Sequence, residues 1–145
     1  VTVEANKEIV RAFVEAGNRN DVDAFDSLPA PGFVGHCEAT PRVNVTSCED
    51  FERFYLETAA TFPDQKMTLG TLVAEGDLVA FRGKFSGTQK GAMGPFPPTG
   101  KFVESDCAGI FQVENGRIVR LWVSWDNLGG TMQLGLLPPS SAPPA

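Results

Sequence analysis

The sequence is poor in basic residues, in histidine and in cysteine, and each shortage narrows what it can do. Its 145 residues carry 12 Lys and Arg against 18 Asp and Glu, a formal net charge of −6. Nucleic-acid binding needs a basic stripe, and none is present, so no nucleic-acid partner is expected. The single histidine, His36, is the only side chain whose ordinary pKa lies near neutrality. Cys37, Cys48 and Cys107 are odd in number, widely spaced and form no CxxC pair. That pattern argues against a disulfide framework and against a zinc site, and a reducing, cytoplasmic setting is the expectation. No apolar run approaches the roughly 20 residues of a membrane span. No charged-then-apolar leader opens the sequence as it stands, so neither membrane insertion nor secretion is expected. The sequon Asn44-Val45-Thr46 is accordingly expected to stay unmodified.

What is present fits one soluble globular domain, with 42% hydrophobic and 21% charged residues. Residues 1–137 are assigned to that domain. The Pro/Ser-rich tail 138–145 is too polar to pack and is expected to fray. Residues 5–19 carry Ile9, Val10, Phe13 and Val14 at helical spacing. Asn20 or Asp21 is placed to cap a short second helix with Val22, Phe25 and Leu28 inward, stopped by Pro29 and Pro31. Residues 33–39 are short and extended. Ser47, with Asp50 three residues on, opens a third helix through Phe51, Phe54, Tyr55, Thr58 and Phe62, which Pro63 and Asp64 end.

From Lys66 the period changes to two. Strands are predicted over 67–74, 78–88, 102–114 and 117–125, with the dipeptide Asn115-Gly116 as a hairpin turn. A Pro-rich connection, 91–100, leads into the last pair, and a short polar-apolar segment, 126–135, follows it. Helices first and antiparallel strands after mean α+β. The economical arrangement is a cone: a curved antiparallel sheet with three N-terminal helices on its concave face, enclosing a pocket.

Strand alternation assigns the faces. Val79, Phe81, Gly83, Phe85 and Gly87 point inward, with Gln89 continuing the series. Val103, Ser105, Cys107, Gly109, Phe111 and Val113 form the next inward row, and Val119, Leu121, Val123 and Trp125 the last. Phe102, Ala108, Ile110, Ile118 and Trp122 fall outside among charges, a face expected to pack against something, most simply in a homodimer. Glu104 and Asp106 also fall outside; a register slip of one residue would bring them in as acid/base groups. The inward set is greasy, with polar handles from Gln89, Ser105 and Cys107, and with His36, Tyr55 and Asp126 within reach. That is the profile of a small-molecule pocket for a hydrophobic ligand.

Several pieces in order carry a family likeness. They are the stretch 6–11, then Phe62, Pro63 and Asp64, the stretch 76–80, Ser86 to Thr88, Gly94 with 97–100, the stretch 115–118, Trp125 and Asp126, and Gln133 to Gly135. Together the sequence resembles the SnoaL-like polyketide cyclases of the nuclear-transport-factor-2-like superfamily. The resemblance implies a cone-shaped, often dimeric barrel with a deep hydrophobic pocket, and ring closure on polyketide-type substrates without metal or cofactor. It implies a histidine and an aspartate as acid/base pair on the last two strands, where this chain has Gly109 and Val123. Many members have a histidine where this chain has Gln89. Gly, Val and Gln cannot exchange a proton near neutral pH.

The expected activity is therefore cofactor-free cyclisation or isomerisation of a hydrophobic intermediate of secondary metabolism, by shape more than by proton transfer. Asp126 and His36 are the candidate catalytic residues. Gln89, Tyr55, Trp125, Ser105, Cys107, Phe111, Phe85 and Val123 are the candidate substrate-binding residues. Two other readings remain open: a cofactor-independent hydroxylase of an aromatic polyketide, and a non-catalytic ligand-binding module.

Overall fold

The computed structural model describes residues 2–37, 40 and 43–137, with Phe25 and Asp26 given by backbone alone. The expectations for the Phe25 side chain, for 38–39 and for the tail 138–145 lie outside the described residues. Helix α1 runs Val3–Asn18 and opens two residues before the expected start. Thr2 caps it, accepting from the Ala5 amide at 3.1 Å, and Glu4 favours the positive end of the helix dipole. Its buried stripe is Asn6, Val10, Phe13 and Ala16. Helix α2 is Val22–Ser27, capped by Asp21. Helix α3 is Cys48–Thr61, capped by Ser47. Asp50 reaches back to the amide and hydroxyl of Thr46, each at 3.0 Å, and those bonds hold its pKa below 3.8.

The sheet has five strands in the order β1-β5-β4-β3-β2. They are β1 Pro29–His36, β2 Lys66–Glu75, β3 Leu78–Thr88, β4 Phe102–Glu114 and β5 Arg117–Trp125. Three of the four pairings are antiparallel; β1 lies parallel to β5. This corrects the all-antiparallel expectation, and it corrects the role of the prolines. Pro29 and Pro31 begin an edge strand, where a missing N–H costs no ladder bond. A fourth helix, α4 Asn127–Gln133, follows β5. The sheet is open, and side-chain amides blunt its exposed backbone. Asn18 pairs with both backbone groups of Met67 on β2 at 2.8 Å, and Gln133 does the same for Glu104 at the free end of β4.

Face assignment holds along β3 and β4. Val79, Phe81, Gly83, Gly87, Val103, Ser105, Cys107, Phe111 and Val113 are buried, whereas Arg82, Lys84, Glu104 and Asp106 are exposed. Lys84 lies 3.2 Å from Glu104 and 3.9 Å from Asp106, so both carboxylates belong to the outer face and the one-residue slip does not occur. On β5 the expectation fails at one point. Ile118 pairs with Val113, but Arg120 pairs with Gln112, so Val119 is an extra residue. This β-bulge turns Ile118 inward, where it is fully buried, before the predicted alternation resumes at Leu121. Truncating a fully buried isoleucine removes both transfer energy and packing. Ile118→Ala should therefore lower unfolding free energy by about 2–5 kcal/mol, and Val119→Ala should cost clearly less, read by urea denaturation. A larger loss at Val119 would contradict the bulge.

Candidate active site

The space between sheet and helices has two halves. The half toward the β4–β5 hairpin is closed by aromatic packing. Phe13 lies 5.3 Å from Phe51 and 5.8 Å from Phe111, Phe33 lies 5.6 Å from Phe51, and Phe81 lies 5.2 Å from Phe111. Phe111 is 3% exposed, so it belongs to this core and not to a ligand-lined surface, against expectation. The other half is looser. Phe85, Val123 and Trp125 face inward yet keep partial exposure. Phe85 meets Trp125 edge to face at 5.7 Å and Phe62 at 5.4 Å. These three residues stand on the inner face beside the buried Ser105, the cross-strand partner of Phe85. Two cavities, of about 450 and 410 Å³, lie away from these residues. One is bounded by Asn6, Asp77 and Glu114 and the other by Asn18, Asp64 and Gln65.

Gly109 and Val123 are direct cross-strand partners on this inner face. A Cβ built on Gly109 would stand 2.1 Å from the Trp122 carbonyl oxygen and 2.8 Å from the Phe81 ring. The aromatic ring has taken the room a side chain would need there, and glycine is required by that close approach.

The remaining candidates are placed differently from expectation. His36 is exposed on the outer face, its ring stacked at 5.9 Å on Trp122, its cross-strand neighbour. Strand parity explains this, since Pro29 and Phe33 are the buried residues of β1 and His36 is three positions beyond Phe33. Arg120 stands 5.4 Å from the same indole. Tyr55 directs its hydroxyl to the end of α1, 2.6 Å from Gly17 O and 2.5 Å from Asn20 Oδ1, and burial raises its pKa above 10.0. Asp126 is exposed and caps α4, accepting from the Gly129 amide at 2.8 Å. Gln89 is fully buried, and its amide is engaged by Pro97 and Thr99. Cys107 packs against the Met67 sulfur at 3.4 Å. The structure thus brings together Phe85, Ser105, Val123 and Trp125, and sets His36, Tyr55, Gln89, Phe111 and Asp126 apart from them. Sequence reasoning placed Phe81 inward but did not bring Phe62 onto Phe85; the available signal was the glycine beneath Phe62, Gly87. Among the described residues no group of three or more His, Cys, Asp or Glu stands together as a metal site, and no helix is long and apolar enough to cross a membrane.

The sequence matches the SnoaL-like polyketide cyclase family over residues 7–134. The chain belongs to that family. Its fold agrees: IdmH of Streptomyces antibioticus, assigned provisionally as a polyketide cyclase, is 31% identical with a TM-score of 0.82, over 90% of this chain and 98% of that one. TsrD of Streptomyces laurentii is 28% identical with a TM-score of 0.82, covering 94% and 99% of the two chains. AclR of Streptomyces galilaeus, assigned provisionally as a hydroxylase, is 25% identical with a TM-score of 0.82, covering 94% and 100%. No curated protein sequence matches the chain. The open five-stranded sheet with its helices is the cone of the nuclear-transport-factor-2-like fold.

Burial, with Asp106 beside it, pushes the Cys107 thiol from 9.0 up to about 11. The thiol is therefore neutral at physiological pH and a poor nucleophile. A raised pKa means the folded state holds the proton more tightly. Its stabilising effect is complete below about pH 9 and is lost as pH rises through about 11. Denaturation midpoints should accordingly fall between those values, and Cys107→Ala should flatten that alkaline slope. A slope unchanged in the variant would assign it to other groups, Tyr55 first.

Proposed function

We propose that the protein is a cofactor-free enzyme of secondary metabolism that cyclises or isomerises a hydrophobic polyketide-type intermediate, and that it does so by holding the reacting carbons together. The observation that carries this reading is the Gly109–Val123 pair. Where the resemblance implies an acid and a base, this chain has an apolar strip flanked by Phe81, Phe85 and Trp125. Proton transfer typically contributes about 10²–10⁴-fold, whereas holding one molecule in a near-attack conformer lowers the barrier without any ionisable group. A rearrangement whose bonds form within one bound conformer, as in a pericyclic closure, needs only the second. Phe85, Val123 and Trp125 would form the wall, with Ser105 buried behind them against Gly130 of α4.

Asp126 is assigned a structural part here: it holds α4 beside β4. Asparagine also caps helices, and alanine does not. With a substrate found by screening polyene and planar aromatic compounds, Asp126→Asn should keep turnover within about threefold, whereas Asp126→Ala should lose about 1 kcal/mol of stability. His36→Ala should turn over like the parent. Collapse of activity in Asp126→Asn with its fold intact would restore an acid/base mechanism.

The likeness to AclR favours a second reading, oxygen-dependent hydroxylation of an aromatic polyketide. Turnover that stops under anaerobic conditions would select it. A protein that takes up none of these compounds would instead be a non-catalytic module.

We also propose a homodimer through the outer sheet face. Phe102 is 58% exposed, and Ile110 and Trp122 face each other across β4 and β5, with the Lys84, Glu104 and Asp106 charges paired beside them. Ile110→Glu should shift the mass measured by light scattering from two chains to one, leaving the circular dichroism spectrum unchanged. A parent that is monomeric at micromolar concentration would dismiss the dimer.

A further inference from the structure

Gln89 is buried without residual exposure at the end of β3, yet it is a polar amide. A buried amide is tolerated only where it is hydrogen-bonded. Here its partners all belong to the Pro-rich connection 91–100. Oε1 accepts from the Thr99 hydroxyl at 2.7 Å and from the Thr99 amide at 3.2 Å, and Nε2 donates to the Pro97 carbonyl at 3.2 Å. The backbone adds two bonds of 2.9 Å, Gly100 N to Gln89 O and Gln89 N to Lys101 O. This fastens the far end of the loop.

The near end is fastened to α3. The amides of Lys90 and Gly91 donate to Thr61 O at 2.9 and 3.1 Å, and the Thr61 hydroxyl donates to Ala92 O at 3.2 Å. A Cβ on Gly91 would stand 2.4 Å from Ala60 O, so the loop is pressed onto the helix end. Between the two fastenings a Met93–Phe96 turn lays Met93 against the cluster of Phe62, Val103 and Leu134, which Phe85 also joins. Phe62 and Phe85 link that cluster to Trp125.

We propose that Gln89 is a positioning residue, whose buried amide fixes loop 91–100 as a wall of the apolar pocket, so that Met93 sets the shape of the Phe85–Trp125 surface without touching the reacting atoms. What the wall encloses rests on the functional reading above; that the wall is fastened does not. Thr99 gives a way to test it without opening the core. Thr99→Val removes one donor to Gln89, and Thr99→Ser keeps it.

The experiment uses the full chain carrying Trp122→Phe, so that Trp125 is the only indole. Thr99→Val and Gln89→Leu should speed hydrogen exchange at the Gly100 amide about five- to tenfold, with the Phe111 amide unchanged. Acrylamide quenching of Trp125 should rise roughly twofold as the wall loosens, and Thr99→Ser should restore both. Unchanged exchange at Gly100 would overturn the clamp. Faster exchange with unaltered Trp125 quenching would overturn the wall, and failure of Thr99→Ser to restore either would overturn the role of the hydroxyl. Neither readout needs a ligand. Failure of the parent to bind any polyene or aromatic probe would count against the enzyme reading alone.

Discussion

Much of this structure hangs on the contact between the end of α3 and the end of β3. Phe62 lies over Gly87 so closely that a Cβ there would come within 2.9 Å of it. Beside it Asp64 accepts from the Thr88 amide at 2.6 Å and from its hydroxyl at 2.7 Å, bonds that hold the carboxyl below its ordinary pKa of 3.8. One helix terminus is thereby locked to one strand terminus by a ring, a carboxylate and a hydroxyl. The position of α3 over the sheet, the start of loop 91–100 and the seat of Phe85 under Phe62 all follow from that lock.

The pieces of sequence that carried the family likeness meet largely at this place. Phe62, Pro63 and Asp64 belong to the helix side, Ser86 to Thr88 to the strand side, and the stretch 97–100 answers Gln89. Asp126 and Gln133 close the neighbouring end, one as a cap and one as a substitute strand edge. Together these residues secure the end of the cone that backbone hydrogen bonding alone does not hold.

The fold was largely legible because helix and strand periods are separate and strongly marked, and because alternation on β3 and β4 runs unbroken for 11 and 13 residues. It failed where one residue is inserted: nothing in Arg117 to Arg120 announces the bulge, which depends on how β5 meets β4. The parallel edge strand was hidden because Pro29 and Pro31 are stop signals in any local reading, and only the free edge of β5 makes them acceptable. The site was less legible than the fold. The polar residues His36, Tyr55, Gln89 and Asp126 stood out by chemistry, but each is occupied by a stacking, capping or clamping task that becomes visible only in three dimensions. The inward setting of Phe85, Val123 and Trp125 followed from parity alone.

The missing acid/base pair is a property of the backbone as much as of the side chains. At Gly109 the Trp122 carbonyl and the Phe81 ring close in to distances no Cβ can share. A proton-transfer group could not be installed there by one substitution; β5 would have to move outward and Phe81 would have to leave. The absence of a side chain at Gly109 and the seat of the Phe81 ring are thus one structural feature. A pocket built in this way has little means of stabilising a developing charge. On the proposed reading its means of acting on a bound molecule would be the conformation it imposes, and the rigidity of its walls would then be a chemical variable.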